Sequence, residues 1–362
     1  MALTLTDLTA FTEQYIVERT TDVIFKESPL LARLLSRRRM RFAGGTYIQR
    51  PLMYQALSGG WFGKGDDLNI AYVTTDTAVT VSIKTVYVNI SLYFIDNILN
   101  RGPQAAFSIV ESKFANASMT MAQLIATALY QDGQSSVTPP FTGALSSTLS
   151  IDGLLAWIDD GNNSGSYSSA TNLTKSFLAV GGQNRADFFT TAPTFTGATT
   201  PSTAIQGLNA YTNRALTTFT LNEINTAYGY AWFGRDFPDL ICCTQTGYNR
   251  MWNAIQPLQR YNMDASGTDI GKIGFNAFQF NASTVVVDKY MPTDGTNGAM
   301  FGVNTNYAEL YSSDAKSAQF GFTGFKEAQT TLDVAGQFVW AGDLIISNPR
   351  CNFKEIGPVL YP

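Results

Sequence analysis

Asp76 to Phe94 reads as one extended run of 19 residues whose apolar alternation changes phase midway. Val79, Val81 and Ile83 point to one face, whereas Val86, Val88, Ile90 and Leu92 point to the other. Fully extended, such a run spans roughly 60 Å, well beyond an ordinary strand. A bulge or strong twist near Lys84-Thr85 accounts for the change, and each half is expected to bury a different face against a different surface. A second extended run, Thr46 to Leu57, comes before it and carries Pro51, which suits an edge strand. Between the two lies a glycine-rich tip, Gly59-Gly60-Trp61-Phe62-Gly63-Lys64-Gly65-Asp66-Asp67. A ribbon of this kind has no core of its own and needs something to lie on.

A long amphipathic helix follows, expected over 103–131. Phe107, Val110, Phe114, Ala117, Met121, Leu124 and Ala128 step by alternating threes and fours along one stripe. Pro103 stands near its start and Gly133 just past its end, and its length is roughly 40 Å. The stripe is a packing seam. Ahead of the ribbon, the chain reads as an arm: a helix over 7–25, then a short one from Ser28-Pro29 with Leu30, Leu31, Leu34 and Leu35 on one face. That second helix runs into Arg37, Arg38, Arg39 and Arg41. Residues 26–50 hold seven of the 24 basic residues and one acid, Glu27.

From 134 to 220 the sequence is rich in Ser, Thr, Gly and Asn, with seven charged residues in 87. It reads as loops and short strands elaborating the fold, interrupted by one helical piece at 151–159. Helices are expected at 221–233 and 246–259, and a buried strand at 239–244. Extended segments are expected at 275–280, 284–290, 299–310 and 332–346.

Histidine is absent, which removes Ser-His-Asp and Cys-His catalysis and every imidazole-ligated site. The three cysteines, Cys242, Cys243 and Cys351, form no C-x-x-C pair and read as buried thiols of a reducing compartment. No basic and apolar leader opens the chain, and no run of about eighteen apolar residues exists to span a membrane. Charged residues are only 14% of the chain. So neutral a surface calls for coverage by partners.

Individual motifs carry little chemistry. The tip is one residue short of a phosphate loop, lacks its Ser/Thr, and is followed by no helix to receive a phosphate. Asp66-Asp67 and Asp159-Asp160 are adjacent rather than opposed across a substrate, and Asp160-Gly161-Asn162-Asn163 is a turn sequence. Asp264 to Asp269 lacks the spaced ligands of a calcium loop. No catalytic, metal or cofactor residues are assigned. The arginine cluster has three readings: nucleic-acid contact, a solvated helix end, or pairing with acidic loops of a neighbouring copy.

The order of parts carries a resemblance. GGTYIQRPLMYQ leads through the tip to TVSIKTVYVNISLYF, and QAAFSIVESKFANASMTMAQLIATALY comes directly after. LNEINTAYGYAWFGRDFPDLICCTQTGYNRMWNAIQPLQRY, GFNAFQFNASTVVVDKYMP and a closing strand follow. This resembles the major capsid proteins of tailed bacteriophages, the Hong Kong ninety-seven fold shared with encapsulin shells. The resemblance implies an α+β chain with an N-terminal arm (1–43), an extended loop (44–94), and a peripheral domain (95–260) with the spine helix and an inserted segment at 134–220. It further implies an axial domain (261–330) and a return to the peripheral domain (331–362).

It also implies a non-enzymatic coat protein that assembles as hexamers and pentamers into an icosahedral virion shell, built in the host cytoplasm around double-stranded DNA. Scaffolding and portal proteins are the implied partners, with a decoration protein also conceivable. The net charge of −4 suits a container that holds DNA only by weak, non-specific contact. Met1 stands directly before the arm, from which a separate scaffolding protein is expected rather than a cleaved leader segment. Trp61, Phe62, Lys64, Asp66 and Asp67 become expected inter-subunit contacts, with Lys64 the one loop-tip candidate for a covalent link to a neighbour's Asn. Arg37, Arg38, Arg39 and Arg41 are expected to face neighbouring acids or the interior.

Two other readings stay open. One is an encapsulin-like compartment, which a cargo enzyme with a docking peptide would identify. The other is a carbohydrate-binding or carbohydrate-cleaving surface protein, which fits the composition and would run as a small oligomer by size exclusion.

Overall fold

A computed structural model of the chain describes residues 27–37, 39–53, 57, 59–68, 70, 72, 74–92, 109–131, 133, 150–159, 179–180, 183–184, 208–213, 221–255, 277–291, 297–314, 319–327 and 334–358. Helix α1 (Pro29–Arg37) precedes β1 (Arg39–Phe42), β2 (Tyr47–Met53), β3 (Asp76–Ser82) and β4 (Lys84–Leu92). Next come α2 (Ile109–Leu129), the one-turn α3 (Leu154–Trp157), β5 (Ala179–Val180), β6 (Gln183–Asn184) and β7 (Tyr211–Asn213). Then follow α4 (Leu221–Ala231), β8 (Leu240–Cys243), α5 (Gln245–Ile255), β9 (Ala277–Phe280), β10 (Ser283–Val287) and β11 (Asn297–Val303). β12 (Ala308–Ser313), β13 (Gln319–Phe322), β14 (Lys326–Glu327), β15 (Val334–Ile346) and β16 (Phe353–Pro358) complete a mixed α+β fold.

Strand β15 is the spine of the first sheet. It pairs antiparallel with β12, β13 and β14, and with β4 from Leu92↔Val334 to Lys84↔Gly342. β1 joins β12 in parallel register, Arg39 opposite Leu310. Gly342 is required where β15 passes β12, because a Cβ there would collide with the Tyr311 carbonyl and the Trp340 ring. The second sheet runs β7-β16-β11-β8-β10-β9. Expected segment 299–310 is therefore two strands: β11 belongs to the second sheet and β12 to the first, with a turn at Asn304–Tyr307 between them. Segment 261–330 contributes strands to both sheets.

The phase change falls at Ile83. β3 pairs with β2 from Ser82↔Tyr47 to Asp76↔Met53, and one residue later β4 is a strand of the β15 sheet. Val79 and Val81 are buried from the ribbon, and Ile90 and Leu92 from the sheet. The surface that the lower ribbon needs to lie on is thus the subunit's own core. Ile48 and Leu52 also pack on the main core cluster. The arm's second helix behaves likewise. Ser28 Oγ accepts a 3.4 Å bond from the Leu31 N–H as N-cap, and Leu30, Leu31 and Leu34 are buried in the chain's own core. The expected helix at 7–25 lies outside the described residues.

Among the described residues helix α2 runs for 21 residues, or about 32 Å; the expected start at 103 and Phe107 lie outside them. Met121 and Ala117 are buried as the stripe requires, but lower down the buried residues are Ile125 and Leu129, with Leu124 and Ala128 only half-buried. A strict 3.5-residue stripe drifts by roughly 20° per heptad on a straight helix, so the seam migrates round it. Phe114 is half-buried and packs edge-on against Phe322, Phe325 and Phe338, with ring centroids at 4.8, 5.8 and 5.4 Å.

The helical piece expected at 151–159 is present as α3 and is a core element. Ile151, Leu154, Leu155, Ala156, Trp157 and Ile158 are all buried in the main cluster or beside it, and the Trp157 indole N–H donates to the Leu344 carbonyl at 3.0 Å. Asp159, read from sequence as leading into a turn, is fully buried and holds the Nζ of Lys354 on β16, itself fully buried, at 3.1 Å. The three cysteines are buried and free, and burial raises each thiol, Cys351 to about 11.

Two stability measurements test this core. Met121→Ala is expected to cost about 2–5 kcal/mol in urea unfolding, from lost transfer energy plus a cavity. Lys354→Met or Asp159→Leu alone is expected to cost about 3–5 kcal/mol, because each strands a buried charge, while the double variant recovers most of the loss. Equal costs for singles and double would show that the pair's energy does not come from desolvated charge.

Candidate assembly surface

The β2–β3 ribbon is fastened at its base and bare at its end. Along β2, Ile48, Arg50 and Leu52 turn inward while Tyr47, Gln49, Pro51 and Met53 are exposed. The Arg50 guanidinium donates to the Glu309 carboxylate on β12 and to the Tyr311 hydroxyl at 3.2 Å, and that hydroxyl donates to Glu309 at 3.0 Å. Glu309 is buried and Arg50 half-buried, so this ion pair is partly shielded from solvent and fixes the ribbon to the first sheet. On the β3 side, Gln183 Nε2 donates to the Ala78 carbonyl at 2.8 Å, and the Thr77 hydroxyl donates to Gln183 Oε1 at 3.3 Å. The β5–β6 hairpin thereby ties down that strand.

Beyond the fastening, apolar side chains stand in solvent. Met53, Leu57, Trp61, Phe62, Leu68, Ile70 and Tyr72 are all exposed, Trp61 fully and Ile70 to 93%. The tip itself is a tight turn. The Gly63 N–H donates to Asp66 Oδ2 at 2.6 Å, the Asp66 N–H donates to the Gly63 carbonyl at 3.3 Å, and Gly65 supplies the required positive φ of 95°. Lys64 projects from the crown of that turn, exposed, and Asp67 follows it, also exposed. Asp66 holds the turn, a role that sequence reading did not give it.

The basic cluster divides between two elements. α1 ends at Arg37, and Arg39 and Arg41 lie on β1 rather than on a continuing helix, because β12 offers that segment a parallel partner. Arg38 and the Arg39 side chain lie outside the described residues. Asp239 at the head of β8 gathers Arg33 at 3.2 Å and Arg37 at 3.7 Å, and accepts from the Thr305 N–H at 2.6 Å and its hydroxyl at 2.5 Å. Arg41 lies 3.7 Å from Asp314. The acids met by Arg37 and Arg41 are thus on the same chain. Arg50, Glu309 and Asp239 were missed because their pairing spans hundreds of residues; the one available signal was Arg50 breaking an otherwise apolar inward face.

Among the described residues, no three His, Cys, Asp or Glu side chains are placed to hold a metal, and no helix is long and apolar enough to cross a membrane.

No family model matches the chain, and no curated protein matches it in sequence. Solved structures do match over nearly its full length. The capsid asymmetric unit of cyanophage A-1(L) aligns with a TM-score of 0.60 at 16% identity, covering 97% of this chain and 98% of that one. The capsid of a native GTA particle aligns at 0.59 and 8% identity, covering 96% of each chain. A holo encapsulin complex from Synechococcus elongatus aligns at 0.54 and 7% identity, covering 99% of this chain and 96% of that one. The fold is the one these shell proteins share, which agrees with the resemblance read from the order of parts.

Replacing Arg50 by Ala leaves Glu309 buried without its cation, at an expected cost of about 2 kcal/mol. Limited proteolysis within 50–75 should accelerate several-fold in the variant. Unchanged cleavage alongside a lowered unfolding midpoint would place the pair's effect in the core rather than in the ribbon.

Proposed function

We propose that this chain is the major coat subunit of an icosahedral shell that encloses the double-stranded DNA of a tailed bacteriophage. The observation that carries this is the bare ribbon: seven large apolar side chains between Met53 and Tyr72 are exposed on a segment whose base is held rigid. Large apolar side chains left exposed along one segment mark a contact with another molecule, and the most abundant partner for a coat chain is its own copy. Full-length likeness to three shell proteins supports the reading.

The work is mechanical. Ribbon tips lie across adjacent subunits in hexamers and pentamers, Trp61 and Phe62 act as aromatic anchors, and Lys64 and Asp67 contribute polar contacts at the rim. Arg37, Arg38, Arg39 and Arg41 face the interior or a neighbour. A net charge of −4 leaves the packaged DNA loosely held. Scaffolding and portal proteins would join assembly in the host cytoplasm, with the virion as destination. The alternative with an observation behind it is an encapsulin-like compartment, supported by the likeness to the Synechococcus elongatus shell. Purified particles holding a cargo enzyme and no genome would select it.

Aromatic interface anchors often contribute about 2 kcal/mol or more each. A Trp61→Ala, Phe62→Ala double variant should therefore keep native circular dichroism yet sediment as unassembled subunits or incomplete rings. Normal shells from the variant would make the tip dispensable; loss of the dichroism would assign both rings to a subunit core.

A further inference from the structure

Strand β16 carries a lysine and a glutamate side by side, and the fold treats them in opposite ways. Period-two alternation sends Lys354 toward the main core, where Asp159 neutralises it, and sends Glu355 toward the face covered by α4. Phe353, two residues earlier on that face, packs with Ile224, Ala227, Tyr228 and Ala231 of α4. Glu355 is only 2% exposed, and among the described residues neither carboxylate oxygen has a hydrogen-bond partner. A buried carboxylate without a cation or donors is costly to keep charged.

We propose that Glu355 is a proton-operated latch: its neutral carboxyl lets α4 lie closed on β16, and loss of that proton releases the helix from the sheet.

The groups around it favour the neutral form. Helix α4 presents Glu223, its one charged residue, in its first turn. β7 presents Tyr211, which burial and then Glu355 push up to about 12. β11 places Met300 opposite Glu355 and bears no charge. From α5, the Arg250 guanidinium lies against Gly298, two residues along β11, and from β8 the nearest titratable group is the buried Cys243 thiol. Arg350, in the turn before β16, sits over the Phe233 ring at 3.7 Å, beyond the far end of α4. Burial, and after it the Glu223 charge, raises the Glu355 carboxyl from 4.5 to about 8.

The direction of the effect follows. The closed state binds the proton more tightly than the open one, so closure is strongest below the ordinary pKa of 4.5 and is lost as pH rises toward about 8. Above that value the dependence levels off. The rings that α4 and the following turn carry, Tyr230, Trp232 and Phe233, are already exposed at this edge, so release of the helix changes a surface available to partners.

Amide hydrogen exchange, corrected for the intrinsic pH dependence of exchange, reads the latch directly on α4. Between pH 5 and 8 the open population of α4 should rise by up to about tenfold per pH unit and then plateau. Glu355→Gln should flatten the profile, and Glu223→Gln should move the plateau to lower pH without abolishing the slope. The second variant keeps the test decisive if the first fails to fold. A flat wild-type profile, or an unchanged plateau in Glu223→Gln, would overturn the proposal. So would added calcium chloride restoring wild-type protection at pH 8, since the carboxylates would then hold a cation instead of a proton.

Discussion

One change of partner at Ile83 organises the molecule. Up to Ser82 the chain is the inner strand of a ribbon paired with β2, and from Lys84 it is a strand of the β15 sheet. The side-chain period along a strand is two, so inserting one unpaired residue exchanges the buried face for the open one. The same extended run can therefore bury Val79 and Val81 under the ribbon and Ile90 and Leu92 under the sheet. β15 makes this possible. As a 13-residue strand paired with four others, it gives β4 a rigid edge from which the ribbon departs in a fixed direction. Arg50 on Glu309 and Gln183 on β3 then hold that direction.

Much of this was legible in the sequence because it is written in local periodicity. The phase change, the spine-helix seam at Ala117 and Met121, the Ser28 cap and the buried β8 all follow from spacing that adjacent residues set. What was illegible depends on contacts between distant segments. The helical piece at 151–159 was legible, but nothing local showed that Trp157 would be fully buried in the main core. Asp159 and Lys354 stand 195 positions apart, and no local rule pairs them. The ribbon tip was legible as a flexible, aromatic-bearing turn, but the role of Asp66 in closing that turn emerged only from geometry.

The polar interior shows how the fold spends its few charges. Asp239 gathers α1 and the turn before β12, and Arg50–Glu309 anchors the ribbon, so each pair joins elements far apart in the chain. Pairs of this kind contribute modestly to net stability but penalise misregistered alternatives, which would strand a buried charge. With electrostatics committed to register inside, the exposed apolar ribbon is the surface to which the proposed function assigns association. The fold shared with phage and encapsulin shells fits that division.

Cryo-electron microscopy of the purified chain under assembly conditions tests the central claim most directly. The account predicts closed shells of pentamers and hexamers, with density for Trp61 and Phe62 lying against an adjacent subunit. A monodisperse monomer at high concentration, or shells in which the ribbon tips stand free in solvent, would contradict it.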